Sequence, residues 1–449
     1  MSNKKIVIVG GGFAGFYAAL EFEKSIRSHP DWDVILINRD NFFLFTPMLH
    51  EVAANSLDIT HIVCSLRRLF KKVEYMQGEV TNVDLHSRKI EVTFSSQARH
   101  REVEFDHLIL ASGSVTNFFG LPGIREKAMT FKTLEDAISL RNRLVGNLEE
   151  AEIETDAIRR KRLLTFVIAG GGFAGVETAG AINDYLSYAV NHYPRLKRSD
   201  VQVIVVHSHD PILPEYSEDL GRYAQQKLEE KGVRVIVNNR VVACDGNDLV
   251  LEDKTRLDAD TLIWTCGVSP SALLARLPCK KVQDRIEANA CMQVPDWNNV
   301  WAVGDCAYIV DQRNGKPYPQ TAQHAFRQGK LLAKNVLSVI TGGAAQPFIF
   351  DDLGQLATIG DRTAVARILM FKFHGFFAWL LWRCIYLAKL PEFNRKCGVV
   401  FDWIADEVFE RDIVQFMNAP ADVLDGQVQL TSRRPDLASS AKVHADLIK

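Results

Sequence analysis

The chain has 449 residues, enough to bury the cores of two or three domains. Charged residues make up 24% of it and the formal net charge is −2, so no basic excess points to nucleic acid. The eight cysteines (Cys64, Cys244, Cys266, Cys279, Cys291, Cys306, Cys384 and Cys397) include no C-x-x-C pair; this argues against a short-range redox disulfide, and no metal cluster stands out.

Residues 4–15 read KKIVIVGGGFAG. Ile6 to Val9 are a continuous β-branched run, the pattern of a strand buried on both faces. Gly10, Gly12 and Gly15 follow at the spacing G-x-G-x-x-G, and a small-residue helix comes next. Strand, glycine turn and helix together are the setting of a dinucleotide fingerprint, with phosphates on the helix N-terminus. The chain enters this strand almost at once, so the expectation is no signal peptide and a cytoplasmic location. Residues 34–37, VILI, form the second strand. Its ribose-reading end is Asn38, followed by Arg39 and Asp40, where an acid is usual. Residues 41–53, NFFLFTPMLHEVA, read as an aromatic loop and short helix. Residues 73–92 and 102–104 alternate as a small antiparallel insert. HLILAS, 107–112, is a further parallel strand, closed by Gly113 and followed by TNFFGLPG.

Residues 132–162 are charged and helical and read as a solvated connecting helix. Phe166 to Gly175, FVIAGGGFAG, then repeats the fingerprint word for word, with Gly170, Gly172 and Gly175. Two fingerprints imply two dinucleotides, and a protein holding both a flavin and a nicotinamide passes electrons between them. VQVIVV, 201–206, ends at His207 instead of an acid. NNVWAVGDCAYI, 298–309, contains a strand ending in Gly304-Asp305, as the second half of a flavin site requires. Residues 319–335 form a helix with Thr321 as N-cap. Ala322, Ala325 and Gly329 on one of its sides would let it approach a flat ring or pack closely. Residues 371–390, FKFHGFFAWLLWRCIYLAKL, are the most aromatic stretch. They are too short in apolar run for a span and are broken by Lys372, Arg383 and Lys389. That composition suits an interfacial membrane helix; a buried helix or homodimer contact is the alternative. From residue 419 onward a disordered tail is expected.

At this point the chain resembles the type II NADH dehydrogenases, the single-subunit NADH:quinone oxidoreductases of the two-dinucleotide-binding flavoprotein superfamily. The resemblance runs from about residue 4 to 415. It rests on GGGFAG twice, LFTPMLHEVA, LILASGSVTNFFG, NVWAVGDCA, TAQHAFRQG and the aromatic C-terminal segment. It implies an α/β fold with two Rossmann-like dinucleotide-binding domains and a C-terminal membrane-associating helical segment. The expected boundaries are 1–130 with 292–350 for FAD, 131–291 for NAD(P) and 351–418 for the membrane region. It implies FAD at Gly10, Gly12, Phe13, Ala14, Gly15, Asn38, Arg39, Gly113, Gly304, Asp305, Ala322 and Gln323. It implies NADH, with NADPH open because of His207, at Gly170, Gly172, Phe173, Ala174, Gly175, Glu177, His207 and Gly267. Glu177 and Gln323 are the expected catalytic residues, and Glu177 equally suits a helix-end charge. A membrane quinone is the expected acceptor, the cytoplasmic face of a bilayer the expected location, and no proton pumping is expected. A flavin-bearing redox sensor, or a soluble NAD(P)H oxidase or reductase of another acceptor, remains the alternative. Arg327 stands where the family pattern A-Q-x-A-x-Q ends in Gln, with Gln328 one residue later.

Overall fold

The computed structural model describes residues 3–94, 99–351 and 354–416; the tail expected from residue 419 lies outside the described residues. The strand Lys4–Val9 is the centre of a five-stranded parallel sheet, with Ile6, Val7 and Ile8 wholly buried. Trp32–Asn38 and His107–Leu110 flank it, and Glu74–Gln77 and Val300–Ala302 are the edges. Helix α1 (Phe13–Ser25) leaves the glycine turn. The aromatic loop is core: Phe43, Phe45 and Met48 are buried, as is every residue of the short helix α2 (Leu49–Ala53). The expected β insert is Glu79–Asp84, Lys89–Phe94 and Arg99–Glu104. Glu74–Gln77, assigned to that insert from its alternation, instead pairs parallel with Trp32–Asn38. Its side chains Tyr75 and Met76 are both buried, as they are in an edge strand covered by other layers.

A second five-stranded parallel sheet repeats the plan around Thr165–Ala169, in the order Ala128–Thr130, Thr261–Trp264, Thr165–Ala169, Gln202–Val206, Val233–Ile236. The connecting segment is not one solvated helix. Helix α3 (Leu134–Ile153) starts at a capping box of Thr133 and Asp136 and buries Leu140, Leu144 and Leu148, four residues apart on one face. A second helix, Ala157–Leu163, follows. The charge count concealed this apolar stripe. Helix α4 (Phe173–Ala189) leaves the second glycine turn. Val115–Thr116 pairs antiparallel with Val268–Ser269, tying the segment after the first sheet to the end of the second.

Helix α5 (Ala322–Ile340) crosses α1 at the closest range backbones allow. A Cβ at Gly329 would sit 2.1 Å from the Ala14 carbonyl oxygen. Of the two roles open to the small residues of α5, Gly329 fills that of close packing, between helices.

The C-terminal region is not a single helical segment. Gly354–Thr358, Ala364–Ile368 and Phe371–His374 form an antiparallel meander. Phe371 to His374, expected as helix, alternates and pairs as an edge strand. Helix α6 (Gly375–Lys389) then begins at Gly375, whose φ of 71° makes the sharp turn, and α7 (Phe393–Val408) follows. Among the described residues no helix is long and apolar enough to cross a membrane. The three cations expected in a membrane interface have protein partners. Arg383 stacks over Trp379 and Trp403 at 3.8 and 4.7 Å, Lys372 pairs with Asp219, and Lys389 lies over Tyr386. Apolar side chains are exposed instead: Phe376, Phe377 and Leu380 on α6, and Phe393, Phe401, Ile404 and Val408 on α7.

The meander sits on α4 through a glycine pair. A Cβ at Gly180 would lie 2.4 Å from the Gly360 nitrogen, so only glycine admits this approach. Gly180→Ala should therefore lower stability by about 1–3 kcal/mol, the range for overpacking. Equilibrium denaturation measures this; an unchanged midpoint would contradict the contact.

Candidate functional site

Both glycine turns have the same geometry. Gly10 and Gly170 have φ of 104° and 114°, a region that disfavours any side chain. A Cβ at Gly15 would sit 1.8 Å from the Gly10 oxygen, and one at Gly175 would sit 1.8 Å from the Gly170 oxygen. Helices α1 and α4 begin at Gly12 and Gly172 with no side-chain cap and no acid in the first turn. Their first N–H groups are therefore available to an anion. At Gly12 and Gly113 an added Cβ would meet open space. That cradle fits the pyrophosphate of a dinucleotide. The second cradle differs: Glu215 Oε1 comes within 3.6 Å of the Cβ position at Gly172.

The residues expected to read ribose hold the turns. Asn38 Oδ1 accepts from the Gly11 N–H at 2.8 Å while its Nδ2 donates to the Asp40 carbonyl. His207 Nδ1 accepts from the Gly171 N–H at 3.1 Å, which puts its proton on Nε2; burial holds it below its ordinary pKa. Arg39 lies at the surface beside Asp40. Phe13 and Phe173 turn their rings to Phe43 and Tyr216. Ala14 is buried against α5, and Ala174 is exposed. Gly267 is covered by the ring of Phe119.

Asp305 is held directly by two side chains, one of which is itself backed by a third. Ser114 Oγ donates to Oδ2 at 2.7 Å, Gln320 Nε2 donates to its carbonyl, and Lys132 Nζ reaches Ser114 Oγ at 2.5 Å. Burial lowers the Lys132 amine, and Asp305 opposes this. Gly304 donates its N–H to Gln328 Oε1, so Gln328 is a core acceptor. Ala322 and Gln323 open α5; Arg327 Nη1 donates to the Gln323 carbonyl and stacks over Phe350 at 4.1 Å. Ser114 and Lys132 were not singled out in the sequence: Ser114 lies inside the quoted LILASGSVTNFFG stretch with nothing to mark its role, and Lys132 belongs to no motif.

Glu177 lies one turn into α4, and its carboxyl is turned into a buried polar cluster. Thr358 donates its N–H to Oε1 at 3.3 Å, and His50 Nδ1 lies 3.8 Å from Oε2. The Thr358 hydroxyl meets His50 Nε2 at 3.1 Å. Burial pushes Glu177 up to about 8; the Thr358 N–H and the Trp382 indole resist this and the Glu51 charge adds to it. Burial also lowers His50 to about 3, so the 3.8 Å approach is between two uncharged groups at neutral pH and is not an ion pair. Glu51, beside His50 on α2, accepts from Trp403 Nε1 at 3.3 and 3.4 Å. Burial raises it to about 7, against the pull of Arg383 and Trp403. Glu51 and His50 were missed as site residues; the signal was two polar residues inside an aromatic run. A carboxyl raised on folding binds its proton more tightly in the folded chain, so stability falls as pH rises from 4.5 towards about 8. Glu177→Gln removes that loss, and its Tm relative to the parent should climb with pH through this window. A difference independent of pH would contradict the burial.

The profile of the pyridine nucleotide-disulphide oxidoreductase family matches residues 4–329, and that of the NDH2 C-terminal domain matches residues 353–412. A probable NADH dehydrogenase of Dictyostelium discoideum is 30% identical over 93% of this chain and 92% of its own length. A type II NADH:quinone oxidoreductase of Mycobacterium tuberculosis is 30% identical over 89% of this chain and 87% of its own. The solved structure of NDH2 from Plasmodium falciparum in complex with NADH superposes with a TM-score of 0.86, over 92% of this chain and all of that one, at 21% identity. It shares the fold. With both family profiles matched in order and relatives aligned over nearly their whole length, the chain belongs to the type II NADH dehydrogenase branch of the pyridine nucleotide-disulphide oxidoreductase family.

Proposed function

We propose that the protein is an FAD-dependent oxidoreductase that passes electrons from NADH to a quinone without pumping protons, as its family membership supports. The observation that carries this reading is the pair of matching glycine cradles in one frame, one of them completed by Asp305. FAD belongs in the first cradle, at Gly10, Gly12, Gly15 and Asp305, and the nicotinamide nucleotide in the second, at Gly170, Gly172 and Gly175. The corresponding segments are 1–130 with 292–350, and 131–291. Bound FAD supplies a two-electron carrier that takes hydride from NADH and yields electrons to the quinone. The chain's own groups would position it: the N-terminus of α5, at Ala322 and Gln323, would offer positive dipole charge to the reduced flavin. Glu177 holds an exchangeable proton on its carboxyl at neutral pH. With His207 holding the second glycine turn, no carboxylate at that position repels a 2′-phosphate, so discrimination against NADPH is weak. Steady-state quinone reduction by the purified protein, with NADH and NADPH compared, tests the activity and this preference. Failure to reduce any quinone with either nucleotide would reject it.

The exposed apolar faces of α6 and α7 support peripheral attachment to a bilayer, where a lipid-soluble quinone is met. The cytoplasmic face is the side we assign. Phe393 and Phe401 are 79% and 67% exposed, so Phe393→Ser with Phe401→Ser removes apolar surface without opening the core. Flotation with anionic liposomes should be lost in the double variant while NADH:ferricyanide reduction is kept. Unchanged flotation would contradict attachment through these side chains, and a parent protein that does not float and is instead a dimer broken by the substitutions would assign this face to a second copy.

A further inference from the structure

The first cradle is backed by a residue that the second sheet delivers. Lys132 lies just beyond the strand Ala128–Thr130, the edge of the second sheet, and directly before Thr133, the N-cap of α3. Its backbone is pinned. The Asp136 carboxylate accepts from the Thr130 hydroxyl at 2.6 Å and from the Lys132 and Thr133 N–H groups at 2.7 and 2.8 Å. The half-buried side chain then reaches the end of the first sheet, where Nζ lies 2.5 Å from Ser114 Oγ, and Ser114 Oγ lies 2.7 Å from Asp305 Oδ2. The direction of this chain follows from its chemistry. An ammonium only donates and a carboxylate only accepts, so the one hydroxyl proton of Ser114 goes to Asp305 and a lone pair of its oxygen takes the Lys132 N–H. Among the described residues, Oδ1 of Asp305 has no hydrogen-bond partner. The other cation near Asp305, Arg285, is engaged elsewhere: it stacks over Tyr308 at 4.8 Å and donates to Gln283.

We infer that Lys132 is a positioning residue of the FAD site, acting through Ser114 to hold the Asp305 carboxylate in one orientation for the cofactor. This rests on the reading of the first cradle as the FAD site. With Oδ2 taken by Ser114, Oδ1 is the oxygen left to accept from a hydroxyl of the bound cofactor. A carboxylate already held in place loses little side-chain freedom when the cofactor binds, and that saving appears as affinity. Without the ammonium, the Ser114 hydroxyl is free to turn its proton away, and Asp305 loses the cation next along the chain. Burial works against an ammonium at this place and Asp305 works for it, so each charge depends on the other. A side chain that merely filled space beside α3 would need the apolar stem alone, and methionine would serve as well.

Lys132→Met keeps the stem and removes the ammonium. When the FAD-loaded enzyme is diluted and free-flavin fluorescence is followed, FAD should leave this variant about 10- to 100-fold faster than the parent, the scale of a lost charge-assisted hydrogen bond. Lys132→Arg keeps donor and charge and should recover most of the parent's retention. Ser114→Ala removes one oxygen and should speed release to a similar degree. Adding Lys132→Met to Ser114→Ala should then change little, because the lysine acts through the serine. An unchanged release rate in either single variant, no recovery by arginine, or losses that multiply in the double variant would overturn the inference. A parent protein that takes up no FAD would instead reject the flavin reading of the first cradle.

Discussion

Two backbones meet without side chains where Gly180 of α4 touches Gly360 of the C-terminal meander. That contact fixes how deep the meander lies. Two residues before Gly360, Thr358 offers its N–H to Glu177, and Glu177 is one helical turn before Gly180. The helices that follow then bring Trp382 and Trp403 over the same carboxyls. A deep carboxyl in such a place is stable mainly as the neutral acid, because no cation is close enough to offset its desolvation fully. Arg383 could have been that cation for Glu51. Its guanidinium is stacked on two indoles, and its pull is smaller than the effect of burial.

The two parallel sheets solve one packing problem twice. In each, a left-handed glycine ends the central strand, a third glycine presses against it, and the second glycine leaves the helix N-terminus open. Even the residue ending the neighbouring strand does the same job, Asn38 accepting from Gly11 and His207 from Gly171. The differences between the cradles matter for function. The first gains Asp305, oriented by Ser114 and Lys132. The second has Glu215 at its edge, a carboxyl whose pKa is raised by burial.

Much of this was legible in the sequence because short-range rules governed it. The glycine spacing, the buried runs Ile6–Val9 and Thr165–Ala169, and the Gly304-Asp305 turn are local signals, and each marks the element it predicts. Illegible parts depended on partners distant in the chain. Phe371 to His374 reads as helix beside its neighbours and is a strand because Ala364–Ile368 pairs with it. The charge of α3 hid Leu140, Leu144 and Leu148, whose burial needs the rest of the core. Glu177 could be read as a helix-end charge, since nothing near it announces Thr358 or His50. Lys372 and Arg383 suited a lipid surface until Asp219, far away in sequence, met the first, and Trp403 from the next helix joined Trp379 on the second.

The central claim is that electrons entering from NADH leave to a quinone, which takes up a proton as it is reduced. Enzyme reduced anaerobically by NADH can be mixed rapidly with a short-chain quinone while flavin absorbance and a pH indicator are read together. The account predicts that flavin reoxidation and proton uptake run at one rate, with one proton taken up per quinone. Flavin that stays reduced in the presence of quinone, yet is reoxidised by ferricyanide, would contradict it.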